Sequence, residues 1–224
     1  MDYEIEKVIK SNRKTFCIEI DDYGKIILRI PKNSSDLEIE KFLNKHKNWI
    51  YKKLKVIEKR EIELYPKKFI EGEMFLFLGN FYKLKIVKNQ KEKIMLNNNE
   101  MNISDKYKTD IRKVIIEFYK KKAFEIISDR VNFYSKKYGY DYNKIKITSA
   151  NKRFGSCTNK GNLNFTFRLI MAPIEVIDYV VVHELTHLID KTHKKSFYKK
   201  VEKILPDYKK RIKWLNDNSY LLKI

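Results

Sequence analysis

Cysteine is almost missing from this chain. Cys17 and Cys157 are the only two in 224 residues, which excludes a disulfide framework. Alanine is nearly as rare, with three in all, and arginine occurs 8 times against 41 lysines. Long apolar runs are lacking too: runs such as Met74 to Leu78 and Val180 to Val182 fall far short of the roughly 18 residues of a membrane span, so no membrane partner is expected. The opening Met1-Asp2-Tyr3-Glu4-Ile5-Glu6 carries acids where a secretory leader carries bases and then an apolar block. Together these absences set the expectation of a cytoplasmic protein.

What remains is the composition of a globular chain, 43% hydrophobic and 13% aromatic. Its charge is strongly one-sided, at +20. Lysine, asparagine and isoleucine are all abundant, a pattern that fits a bias of the whole proteome as well as a specific partner. Basic residues are nonetheless dense from Asp190 to Trp214, ten against three acids. Such a surface favours non-specific nucleic-acid contact through phosphate, which speaks to binding and not to fold.

Histidine is the third scarcity, and the informative one. Of four histidines, three fall within eleven residues, in Val180-Val181-Val182-His183-Glu184-Leu185-Thr186-His187-Leu188-Ile189-Asp190-Lys191-Thr192-His193. On an α-helix, positions i and i+4 share a face, so His183 and His187 can aim their rings at one cation. Glu184 then points away from the ion but stays beside a metal-activated water, where hydrolysis needs a general base. His193 reaches the same point only if the helix ends near Ile189 or Asp190 and the chain folds back. Aspartate tolerates the left-handed conformation such a turn can demand. Upstream, Pro173, Glu175 and Asp178 suit a helix start.

The rest of the chain reads as α+β. A β-rich N-terminal region with one long helix is expected over residues 1–103, and a catalytic domain over 104–224. Residues 14–31 alternate as a hairpin about Asp21-Asp22-Tyr23-Gly24, with Phe16, Ile18 and Ile20 facing Ile26, Leu28 and Ile30. Ser35 and Glu38 form a capping box for a helix whose apolar stripe includes Ile39, Phe42, Leu43, Trp49, Ile50 and Leu54. His46 lies on that stripe and reads as a packed or capped core histidine. Two further hairpins are expected, one turning at Gly79-Asn80 and one at Asn97-Asn98-Asn99. Next comes a long helix ending at Gly139, then a strand at Lys144 to Ile147 and a polar loop from Asn151 to Thr158. A strand from Leu163 to Leu169 leads through Met171-Ala172 into the histidine helix, leaving a free edge to which an extended peptide can add. After His193, Phe197, Val201, Ile204 and Leu205, then Tyr208, Ile212, Trp214 and Leu215, mark short helices broken at Pro206. Cys157 reads as a small buried residue.

Five stretches are similar to the YgjP-like metallopeptidase family: Arg153-Phe154-Gly155-Ser156-Cys157, Asn162 to Phe165, Arg168 to Pro173, Val181 to Leu185, and His193 with Phe197-Tyr198. That zincin group resembles the SprT/Spartan-type proteases. The family pattern has tryptophan where Phe154 stands, a departure that does not touch the chemistry. The resemblance implies a compact zincin (minigluzincin-like) domain with an active-site helix and an antiparallel hairpin. It also implies one Zn2+ on His183, His187 and His193, Glu184 as general base, and a protein or peptide substrate. Metzincins share the spacing but carry glycine at the position of Asp190 and a later methionine; no methionine follows Met171. Besides the metal, oxyanion stabilisation or substrate binding is open to Arg153, Asn164, Arg168, Tyr179 and Tyr198. The competing readings are a DNA-associated protease, by kinship with Spartan-type enzymes, and a basic nucleic-acid-binding module with a structural zinc.

Overall fold

The computed structural model describes residues 3–21, 23–58 and 67–224. Met1, Asp2 and Asp22, the last from the expected Asp21–Gly24 turn, lie outside the described residues. The chain divides into two compact units, residues 1–63 and 64–224.

In the first unit β1 (Ile5–Ser11), β2 (Cys17–Ile20) and β3 (Ile26–Pro31) form a sheet of order β1-β3-β2. The expected hairpin is β2–β3, antiparallel from Cys17↔Arg29 to Ile20↔Ile26. β1 was not anticipated. It pairs parallel with β3 through an irregularity between Ile5 and Lys7, and its sequence lacks a clean period of two. α1 (Asp36–Glu58) starts as read: the Ser35 N–H donates to Glu38 Oε2 at 2.9 Å and the Glu38 N–H to Ser35 Oγ at 3.3 Å. Leu43 and Ile50 pack on Ile26, Leu28 and Ile30. His46 caps within its own helix, Nδ1 2.8 Å from the Phe42 carbonyl oxygen, whereas Trp49 is largely exposed.

The second unit opens with a four-stranded sheet of order β4-β5-β7-β6, from β4 (Met74–Phe77), β5 (Asn80–Val87), β6 (Ile94–Asn97) and β7 (Glu100–Ser104). Both expected hairpins are present, joined by parallel pairing of β5 with β7. Its apolar face does not form a core of its own. Phe75, Phe77, Leu84, Met101 and Ile103 enter the cluster made by α2 (Ile111–Tyr138), and the buried Tyr119 hydroxyl donates to the Leu76 carbonyl at 2.8 Å. The division between the two compact units, at residues 63 and 64, falls ahead of this sheet.

β8 (Ile145–Thr148), β9 (Gly155–Cys157) and β10 (Leu163–Thr166) make a third sheet, of order β8-β10-β9. Two expectations change here. Residues 155–157, read as loop, are a strand, because they pair antiparallel with β10 from Leu163↔Cys157 to Phe165↔Gly155. The strand leading to the histidine helix ends at Thr166, where Phe167–Met171 tighten into a buried 3-10 turn. β10 is also central, so it has no free edge. α3 (Ile174–Thr186) follows Pro173, and α4 (Lys195–Ile204) and α5 (Tyr208–Asn218) complete the core with Val201, Leu205, Tyr208 and Leu215. Asp178 is not a dipole partner in the first turns. It is buried on α3 and held by Arg130 of α2, Nε at 2.5 Å from Oδ1 and Nη2 at 2.8 Å from Oδ2.

The β4–β5 turn locks against the entry to α3. The Leu78 and Gly79 N–H groups donate to the carbonyls of Ile170 and Met171 at 2.9 and 3.0 Å. Gly79 has φ +81, and a Cβ there would stand 2.9 Å from Pro173 Cγ and 3.2 Å from Pro173 Cα. Gly79→Ala is therefore expected to lower unfolding stability by about 1–3 kcal/mol, read as a lower urea midpoint with an unchanged slope.

Candidate active site

α3 is buried on nearly every side, from Val176 to Val182 and again at Glu184, Leu185 and Thr186. An all-round apolar helix is fixed in rotation by its neighbours, which aims His183 and His187 in one direction. The helix ends at Thr186, slightly earlier than expected. A last turn, closed by Ile189 N–H and Asp190 N–H on the Thr186 carbonyl, carries the chain to the bend. Asp190 is not among the residues with positive φ. Its contribution is its carboxylate, which accepts from Thr192 N–H at 3.1 Å, Thr192 Oγ1 at 2.8 Å, Ser196 Oγ at 3.2 Å and Lys200 Nζ at 2.7 Å. Lys200, with Thr192, holds this carboxyl well below the usual carboxylate range. The knot turns the chain back and brings His193 over the helix.

The three Nε2 atoms then stand in a near-equilateral triangle: 3.2 Å between His183 and His187, 3.0 Å between His187 and His193, 3.1 Å between His193 and His183. His187 Nδ1 lies 3.0 Å from the Asp190 carbonyl, so that nitrogen donates and Nε2 keeps its lone pair toward the centre. His183 Nδ1 lies 3.4 Å from the Tyr179 hydroxyl. Burial, with His187 and His193 close by, lowers the His183 pKa to about 3, and burial lowers that of His187 as well. The rings of His183 and His187 are thus held neutral, the form that ligates a metal. Three converging lone pairs repel unless a cation lies among them. Tetrahedral zinc with nitrogens at its usual bond length separates them by about 3.3 Å, so the donor set fits that ion in kind and in spacing. Among the described residues these three histidines form the one cluster suited to a metal.

Phe197 is the residue the sequence reading undervalued. Fully buried on α4, its ring lies 4.9, 4.5 and 5.2 Å from the rings of His183, His187 and His193, so a single side chain walls all three. Its spacing from His193 resembles ordinary helix core, and only the contact to both arms of the site reveals its position.

Glu184 is 5% exposed, and burial pushes its carboxyl up to about 7, partly offset by the Arg153 guanidinium. Against it lies Gly155 of β9, where a Cβ would stand 2.5 Å from Glu184 Oε1 and 2.7 Å from Cγ. No other residue fits there without displacing the carboxylate. The remaining candidates separate. Arg153 and Asn164 line one cavity with Gly155. Tyr179 faces the far nitrogen of His183, while Tyr198 stacks on Tyr208 with centroids 5.9 Å apart and lies 6.5 Å from the His193 ring. Arg168 donates to the Ser149 carbonyl at 3.0 Å and lies over the Phe167 ring, which ties down the loop before Arg153. Cys157 is half-buried and not buried, with Sγ 3.8 Å from Lys191 Nζ and its thiol pKa raised by burial.

Three imidazoles turn inward with a buried carboxylate next in the chain, and His193 is exposed, so the cluster could hold a metal ion with one side open. The chain belongs to the YgjP-like family, whose metallopeptidase domain matches residues 14–218. No curated protein matches it. Among the described residues, no helix is long and apolar enough to cross a membrane.

Burial of Glu184 has a consequence for stability. Its folded pKa, about 7, lies above the ordinary glutamate value of 4.5, so the stability it contributes is complete below pH 4.5 and is lost as pH rises through 7. Metal-free Glu184→Gln is thus expected to unfold harder than metal-free wild type at about pH 8, by up to roughly 3 kcal/mol, and to match it below pH 4.5. The opposite trend from His183, whose depressed pKa makes stability rise with pH between about 3 and 6.5, is common to both proteins and cancels in the comparison. Thermal melts in chelator across pH provide the check.

Proposed function

We propose that the chain is a zinc-dependent peptidase, with His183, His187 and His193 holding the ion and Glu184 as the general base. The observation that carries the reading is the triangle of Nε2 atoms 3.0–3.2 Å apart with Glu184 one residue along the same helix. A bound zinc supplies a Lewis acid and brings the pKa of a coordinated water down to about 7. Glu184 accepts a proton on a carboxylate oxygen from the attacking water and returns it to the departing amine nitrogen. Burial raises the proton affinity of that carboxyl and the Arg153 guanidinium lowers it, two opposed effects on the group that must both take and return the proton. The chemistry belongs to residues 104–224, with the four-stranded sheet bracing the start of α3.

The peptide is taken to lie along β9 and not β10. Thr166 N–H donates to the Phe154 carbonyl and Thr158 N–H to the Asn162 carbonyl, so the antiparallel alternation turns the main-chain groups of Gly155 and Cys157 away from β10. Among the described residues no strand covers that side. An extended substrate added there runs past Glu184.

A structural zinc in a nucleic-acid-binding module is less well supported. Such sites are closed four-ligand shells rich in cysteine, whereas the cluster here holds three histidines and no cysteine. Nucleic-acid contact, whether by a DNA-associated protease or otherwise, rests on the +20 charge, the basic stretch from Asp190 to Trp214 and the resemblance to Spartan-type enzymes.

Zinc-loaded Glu184→Gln is expected to keep its metal by elemental analysis while peptide cleavage falls about 10²–10⁴-fold. Undiminished cleavage would remove Glu184 from the mechanism. His193→Ala is expected to lose the ion on dialysis, and full retention would take His193 out of the shell. Gly155→Ala, which drives a methyl group into the Glu184 carboxylate, is expected to retain zinc and lose activity in the same assays.

A further inference from the structure

Beside Glu184 lies a cavity of about 230 Å³ that neither the histidine cluster nor the proton transfer uses. Its floor is one face of the β8-β10-β9 sheet. The register places Lys146, Asn164 and Ser156 in a single cross-strand row, with Thr148 and Thr166 in the next. Leu163 and Phe165, on the opposite face, are buried in the core. The loop bearing Ala150, Arg153 and Phe154 lines the remaining side, and Gly155, in contact range of Glu184, marks the border with the reaction site.

Two cations line this cavity and no acid does. Neither Lys146 nor Arg153 makes an ion pair among the described residues. Thr166 Oγ1 is committed to the Ala150 carbonyl at 2.8 Å. Asn164 Nδ2 lies 3.3 Å from Ser156 Oγ, which as acceptor keeps its own proton to donate. Donors thus outnumber acceptors, and the guanidinium fork suits a planar two-oxygen anion. The volume is below the roughly 300–1,000 Å³ of a cofactor pocket and suits one side chain or chain end.

We propose that this cavity is a specificity subsite for a carboxylate of the peptide, held by Lys146, Arg153, Ser156 and Asn164 next to the scissile bond. The carboxylate belongs either to an acidic side chain or to the C-terminus of the substrate. The proposal rests on the peptidase reading for the nature of its ligand, and its test does not depend on turnover.

Binding is measured by fluorescence anisotropy on zinc-loaded Glu184→Gln, with labelled peptides carrying Glu, Gln or Lys at one position and a free or amidated C-terminus. A carboxylate is expected to improve affinity by about tenfold over its neutral counterpart. A preference kept in the amidated series identifies a side chain; one seen only with free C-termini identifies the chain end. Lys146→Glu is expected to invert the preference and Arg153→Met to flatten it. Lys88→Glu, the same change of net charge on the exposed loop after β5, is expected to leave it intact. Equal binding of all peptides, no binding of any, loss of the preference in Lys88→Glu as complete as in Lys146→Glu, or displacement by a single-stranded oligonucleotide more effective than by the acidic peptide would overturn the subsite. Wild-type cleavage assayed in parallel separates the two readings. Selective binding without cleavage overturns the peptidase and leaves the subsite, and cleavage without charge preference does the reverse.

Discussion

Three imidazole nitrogens aimed at one point are the constraint around which this structure is arranged. The Nε2 atoms stand 3.0–3.2 Å apart, a spacing that only closely fixed surroundings can hold. The surroundings are built accordingly. α3 is enclosed on almost all sides, Phe197 backs the three rings together, and the Asp190 carboxylate gathers Thr192, Ser196 and Lys200 into a bend that holds His193 in place. Asp190 works twice, because its carbonyl also fixes the tautomer of His187.

The carboxylate of Glu184 is governed by a second balance. Burial alone favours its protonated form, and the Arg153 guanidinium works against burial. A cation among the histidines would act in the same direction as Arg153. Gly155 completes the arrangement by leaving room for the carboxylate, since a Cβ there would stand 2.5 Å from Glu184 Oε1. Strand, helix and loop thus meet at one side chain, and two of the three are polar segments whose role is invisible to hydrophobic patterning.

That division explains what could be read from the sequence. The histidine spacing, the hairpins about Gly79 and Asn98, the Ser35–Glu38 cap and the end of α2 at Gly139 are local signals, each carried by a few adjacent residues with a strong steric or hydrogen-bonding preference. The missed features are long-range. β9 is three residues long and polar, and only its partner makes it a strand. β1 depends on a parallel neighbour, and Phe167 to Leu169 alternate like a strand but are drawn into a 3-10 turn by the core. Asp178 carries the signature of a helix start and is instead bound to Arg130, 48 residues earlier in the chain.

The join between the β4–β5 turn and the residues before α3 bears on how much of the chain is needed to build the site. Leu78 and Gly79 hydrogen-bond to Ile170 and Met171, and Tyr119 is anchored on Leu76. A fragment starting at α2 would keep the three clustered histidines and the glutamate yet take the Leu76 carbonyl from the buried Tyr119 hydroxyl and turn an aromatic wall to water. The four-stranded sheet is thus part of the support beneath the histidine helix, joined to it by the hydrogen bonds of Leu78 and Gly79 and by the shared core.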